Sequence, residues 1–228
     1  VGMINPISKI HEIIQKKNKK TFFHVDMVQA LGKIPLDLSF VDLASFSAHK
    51  IYGLKGSGLL YKKNSVQIVP LINGGQQESG LRGGTSNALV NIVLAKTIRL
   101  ALEQLDYNYQ YVLSLNQYLR KILNEIQDIV INSPSADVSP YILNLSCIGY
   151  KPEVLVHDLE SQGCFVSTKS ACSSKKNDIS RTLKAMGIDE KIAGSALRIS
   201  FSHLTTKEDI DEFIETLKIS LQRVKKQR

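Results

Sequence analysis

The sequence predicts an α/β protein in two parts, and three features predict it. Short apolar runs at 21–25, 42–46 and 57–61 alternate with turns and helical patterns, as in a layered α/β domain. A glycine-rich stretch, 73–87, leads into helical spacing that continues to residue 129. Asn132-Ser133-Pro134-Ser135 then breaks the pattern, and a smaller set of strands and helices follows. The expected division is 1–105 and 106–228. With 228 residues, 43% of them hydrophobic, both parts have material for a core.

Each element has a local reason. Asn5 reads as a helix cap with Pro6 at the first turn, and Ile7, Ile10, Ile13 and Ile14 form the stripe behind it. The lysines of 16–20 end that helix. Strand 21–25 runs into Asp26, and a turn or short helix over 26–32 keeps Asp26 and Gln29 within one turn. Strands 42–46 and 57–61 flank Ser47-Ala48-His49-Lys50. Five glycines within 74–84 expose backbone amides, and the helix expected over 87–105 offers its positive N-terminus to an anion. Spacing over 92–129 fits one long helix or two in succession. The second part has strands expected at 142–147, 165–167 and 197–201, and helices at 151–161, 179–186 and 207–224. Thr205 and Glu208 fit a capping box for the last helix, whose stripe is Ile210, Phe213, Ile214, Leu217, Leu221 and Val224.

Composition narrows the function classes. No apolar run is long enough to span a bilayer and no signal peptide opens the chain, so a cytoplasmic location is expected. Three cysteines, Cys147, Cys164 and Cys172, argue against a disulfide framework and against a zinc site. Net charge is +8, with clusters at Lys16-Lys17, Lys19-Lys20, Lys175-Lys176 and Lys225-Lys226. These read as solvated helix ends and loops. A basic surface for an acidic protein or tRNA is the alternative, but no aromatic-interleaved RNA motif supports direct nucleic-acid binding.

Four residues stand out chemically. Lys50 ends a buried strand: it either snorkels to solvent or is desolvated, which frees its amine for Schiff-base chemistry. Asp26 ends another strand, where it either shapes a turn or pairs with a pyridinium nitrogen. Cys172 lies in a polar stretch near Lys169, Lys175 and Lys176, whose charge favours a thiolate. Cys147 and Cys164 read as small buried hydrophobes. Arg198 has apolar strand neighbours, and its planar fork suits either a nearby acid or a substrate carboxylate.

The run HVDMVQALGKIPLDL, followed by SFSAHKIYGLKG, resembles the cofactor-lysine region of the cysteine desulfurases, in the class V aminotransferase group of pyridoxal phosphate enzymes. GGQQESGLRGGTSN, VSTKSACSS and the LRISF segment around Arg198 are similar to further motifs of that family, in the same order. The resemblance implies part of a pyridoxal phosphate transferase large domain with a mixed sheet, followed by a smaller α/β domain. It implies that Lys50 bonds the cofactor and moves the substrate α-proton, that Asp26 faces the ring nitrogen, and that Gln29 faces the ring oxygen. Ser47 and His49 would hold the phosphate together with Thr85 of a neighbouring subunit, implying a homodimer with shared sites. Arg198 would bind the carboxylate of L-cysteine, and Cys172 would take its sulfur as a persulfide, leaving L-alanine. The Cys172 loop would have to move to deliver that sulfur to an acceptor protein for iron–sulfur assembly or tRNA thiolation. His24 is a pocket candidate without an assigned role.

Leu54 stands where the family usually has Pro, Gly83 where it has Ser, and Lys169 where it has Gly before Ser-Ala-Cys. The opening Val1-Gly2-Met3 is expected to continue from a longer N-terminal part, which in the family supplies a ring-stacking His, an Asn and phosphate donors. This chain alone is therefore expected to bind the cofactor poorly. A class V aminotransferase, a selenocysteine lyase, and an inactive fragment serving as a dimerisation or partner-binding module are the competing expectations.

Overall fold

The computed structural model describes residues 1–168 and 180–226. They form two compact units, Pro6–Asp106 and Tyr107–Arg228, and Val1–Asn5 folds with the second. Met3 bridges Val138, and Ser139 N–H donates to the Gly2 carbonyl at 2.8 Å, so the opening residues extend the second unit rather than the first.

In the first unit, helix α1 (Ile7–Lys17) follows Pro6, which occupies the cap position. Asn5 makes no capping bond, because Pro6 itself stands between it and the helix. Strands β1 (His24–Asp26) and β2 (Leu43–Ser47) pair in parallel, and β3 (Gly58–Lys62) pairs antiparallel with β2. All three start later than the apolar runs suggested. Side chains alternate across a strand, so His24, Asp26, Ser45 and Ser47 share one sheet face. Ala44 and Phe46 point the other way, into a core with Met27, Leu31, Val41 and Ile51. Helix α2 (Ala88–Glu103) opens with Asn87, whose side chain accepts from Val90 N–H at 3.2 Å. Its Ile98 and Ala101 press on that core, yet none of its residues is fully buried.

Spacing over 92–129 resolves into two helices, α2 and α3 (Leu105–Leu123), joined at Gln104. It does not remain helical to residue 129. The chain turns through Asp128, left-handed at φ 66°, and enters β4 (Ile129–Ile131). β4, β5 (Ile142–Cys147) and β6 (Ala196–Ser200) form an antiparallel sheet in that order. Around it stand α4 (Pro152–Glu160), α5 (Arg181–Ala185), α6 (Glu190–Gly194) and α7 (Lys207–Arg223).

Two expectations change here. Strand 165–167 reduces to one bridge, Ser167 with Arg198, and Phe165 is 81% exposed. The capping box of α7 is Thr206 with Asp209, not Thr205 with Glu208, because the Thr205 hydroxyl accepts from Ser202 N–H instead.

β5 is buried on both faces, which brings polar side chains inside. Asn132 Nδ2 donates to Asn144 Oδ1 and to Ser146 Oγ, each at 2.8 Å, while Asn144 Nδ2 donates to the Leu197 carbonyl. Ser146 Oγ donates to the Ile192 carbonyl at 2.6 Å. Satisfied in this way, the groups avoid the 1–3 kcal/mol or so that each unpaired buried polar group costs. No helix among the described residues is long and apolar enough to cross a membrane.

Candidate active site

Lys50 stands in a 3₁₀ turn, Ala48–Ile51, that follows β2 directly. The turn closes through Gly53 N–H donating to the Ala48 carbonyl at 2.8 Å, after Tyr52 has taken a left-handed φ of 66°. Its underside is tightly packed: a Cβ at Gly53 would meet Ala48 Cβ at 2.9 Å, and one at Gly58 would meet the Phe46 carbonyl oxygen at 2.5 Å. Ala48 and Ile51 are buried and anchor the turn, and between them Lys50 remains partly exposed. Among the described residues it has no hydrogen-bond or ion-pair partner.

The predicted partners collect at the same end of the sheet. Asp26 and Ser47 end the parallel strands β1 and β2, the edge where open α/β sheets bind ligands. Asp26 Oδ1 accepts from Val28 N–H at 3.0 Å, which fixes the carboxylate. Ser47 Oγ shares a 2.8 Å hydrogen bond with His49 Nδ1. Gln29, on the turn after Asp26, is exposed.

Two neighbours were not singled out from the sequence. Ser45 lies opposite Asp26 in the register and shares a 2.8 Å hydrogen bond with His24 Nε2. The alternation Leu43, Ser45, Ser47 was the signal for it. Lys33 donates from Nζ to Gln29 Oε1 at 2.9 Å, and the i,i+4 spacing was its signal. Burial, and then the positive charge of Lys50, hold the Lys33 ammonium below its ordinary pKa.

Thr85 is exposed on the glycine-rich loop. That loop bends through Gln77–Gly80, where Glu78 and Ser79 are both left-handed. Gly83 packs so closely that a Cβ there would meet Gly74 Cα at 2.8 Å and the Asn73 backbone at 2.9 Å. The departure at position 83 is thus matched to its neighbours, because serine has no room.

In the second unit, Arg198 lies on β6, half-buried. Its backbone exchanges hydrogen bonds with Ser167 at 2.6 and 3.1 Å, and Nη2 is 3.5 Å from Ser167 Oγ. Its Nε is buried without a partner among the described residues, so the guanidinium keeps donor capacity for an anion. Cys172 and Lys169 lie outside the described residues. Burial pushes the Cys147 thiol up to about 12, which makes it inert, and Cys164 is partly buried.

In architecture the molecule is a mixed α/β protein of the NifS-like kind. A solved NifS-like protein superposes on 98% of this chain, and on 59% of its own, with a TM-score of 0.89 at 37% identity. A NifS-like protein from Rickettsia africae gives 0.86 at 29% identity, covering 97% of this chain and 59% of its own.

More specifically, the chain belongs to the aminotransferase class-V family, whose model matches residues 1–213. It is 44% identical to a NifS/IcsS protein homolog of Lactobacillus delbrueckii subsp. bulgaricus, over 94% of this chain and 56% of that protein. It is 41% identical to the cysteine desulfurase IscS of Clostridium botulinum, over 95% of this chain and 55% of that protein. The chain thus spans about half the length of the curated relatives it matches.

Proposed function

We propose that the protein is a pyridoxal phosphate-dependent cysteine desulfurase, converting L-cysteine to L-alanine with a persulfide on Cys172. The observation that carries this reading is the Lys50 turn at the carboxyl ends of β1 and β2, with Asp26, Gln29, Ser47 and His49 on that edge. The donor set fits the cofactor. An amine suits its aldehyde, a carboxylate its ring nitrogen, an amide donor its ring oxygen, and a hydroxyl with an imidazole its phosphate.

When bound, pyridoxal phosphate supplies an electron sink for the substrate α-carbon. Lys50 holds the group covalently and moves the α-proton. Asp26, fixed by Val28 N–H, keeps the ring nitrogen protonated. Gln29 donates to the ring oxygen, while Ser47 and His49 bind the phosphate. Arg198 receives the substrate carboxylate, for which its Nε, unpartnered among the described residues, supplies a donor. The Cys172 thiolate forms a bond to the substrate sulfur as the substrate C–S bond breaks, and the β-carbon takes a proton to give alanine. Thr85 of a second copy completes the phosphate site, which makes the protein a homodimer. Exposed Leu89 and Ile92, on the helix after Thr85, support that pairing. A cytoplasmic acceptor protein then takes the sulfur.

The test is the visible spectrum of the protein with pyridoxal phosphate, before and after L-cysteine, together with alanine release. A band abolished by Lys50→Ala, and alanine release abolished by Cys172→Ser, are expected. Activity surviving Cys172→Ser would point to an aminotransferase instead, and strong preference for selenocysteine to a lyase for that substrate. No Lys50-dependent band would make this chain an incomplete half of the site, in line with its expected poor cofactor binding, and would leave the family assignment standing.

A further inference from the structure

Lys33 occupies a fixed place beside the candidate site. The chain after Asp26 closes a helical turn, with Lys33 N–H donating to the Ala30 carbonyl at 3.0 Å and Ile34 N–H to the same oxygen at 3.1 Å. Gly32 adopts φ +67°, and the space a Cβ would fill is taken by Ala101 Cβ at 2.9 Å and Ile51 Cγ2 at 3.2 Å. The backbone that launches Lys33 is therefore wedged between α2 and the Lys50 turn itself. From there its ammonium reaches Gln29 Oε1 at 2.9 Å.

A primary amide has one accepting end and one donating end, and a lysine ammonium only donates. The Lys33 contact therefore determines which end of the Gln29 amide is occupied. Its oxygen is held by Lys33, and its NH2 is the end left to a ligand. The reverse orientation would set two donors against each other at Lys33 and offer an acceptor to an oxyanion. Lys33 is half-buried and close enough to Lys50 for that charge to lower its own pKa, so it belongs to the surroundings of the same lysine.

We infer that Lys33 is a positioning residue, which holds the Gln29 amide so that its NH2 faces the ring oxygen of the cofactor bound at Lys50. The inference rests on the cofactor assignment proposed above. Lys33 itself need not touch the cofactor and acts through Gln29.

The experiment is a pyridoxal phosphate titration read by the Lys50-dependent visible band, on the wild type and on Lys33→Met, Lys33→Arg, Gln29→Leu and the double variant Lys33→Met/Gln29→Leu. Lys33→Met is expected to weaken binding about tenfold, the scale of one hydrogen bond lost near a charge. Lys33→Arg, which keeps a donor, should recover most of that loss. In the Gln29→Leu background, Lys33→Met should change nothing further, because residues acting through one contact are not additive. A merely structural role would instead make the two losses add, and that result overturns the inference. So does wild-type affinity in Lys33→Met, with the cofactor assignment left intact. Absence of the band from the wild type overturns the inference for this chain.

Discussion

Among the described residues, the second unit encloses eighteen buried hydrophobic residues in its main core, whereas the first encloses six. β5 is covered on both faces, and its Asn144 and Ser146 are satisfied together with Asn132. The sheet that ends at Lys50 has only one face in a core, and α2, the longest helix of that unit, buries no residue fully. At about 1.5–3 kcal/mol for each buried aliphatic or aromatic side chain, the disparity is large on the scale of a folded domain. The candidate cofactor residues lie on the unit whose core is smaller among the described residues. Around Lys50 the placement is fixed locally, by Gly32 against Ala101 and Ile51 and by Gly53 against Ala48.

Substitutions in each unit test that contrast. Leu143→Ala empties a fully buried position of β5 and should cost about 2–5 kcal/mol. Hydrogen exchange should then show the loss across the second unit, with amides of 24–26 and 43–47 unchanged. Loss shared by both units would mean that they unfold as one. Gly32→Ala forces a left-handed side chain, worth about 1–2 kcal/mol, into space held by Ala101 and Ile51. Exchange should rise at Ile51 and in α2, while the second unit keeps its denaturation midpoint. Thr206→Ala should lower the stability of the second unit by about 1 kcal/mol through loss of the α7 cap. Thr205→Ala is expected to cost less in the same measurement, and equal losses would place the cap elsewhere.

Much of the first unit was legible because its chemistry is contiguous. Asp26 and Lys50 stood out because each follows the end of an apolar run, whereas Gln29, Ser47 and His49 were pointed to by the family resemblance alone. Lys33 and Ser45 escaped because their importance lies in what they touch. A register and a side-chain direction had to be known first. β4 was hidden by an accident of spacing, since Ile122, Ile126 and Ile129 prolong a helical stripe past the true end of α3. Its entry turn uses a left-handed Asp128 instead of a glycine, so no breaker announced it. The cap of α7 was misplaced by one residue because Thr205-x-x-Glu208 and Thr206-x-x-Asp209 satisfy the same pattern. Only the competing bond from Ser202 N–H to Thr205 separates them.

The parallel register that sets Asp26 opposite Ser45 also guards against error during assembly of the sheet. A slip of one residue would turn His24 and Asp26 inward against Phe46 and Met27, and expose Val25. Removing an unpaired carboxylate from water costs several kcal/mol, a large share of what the small core beside this sheet contributes. A misaligned pairing is therefore disfavoured by Asp26, a side chain proposed to bind the cofactor. The same register therefore both aligns the strands and sets Asp26 beside Ser45 at the end of the sheet that carries Lys50.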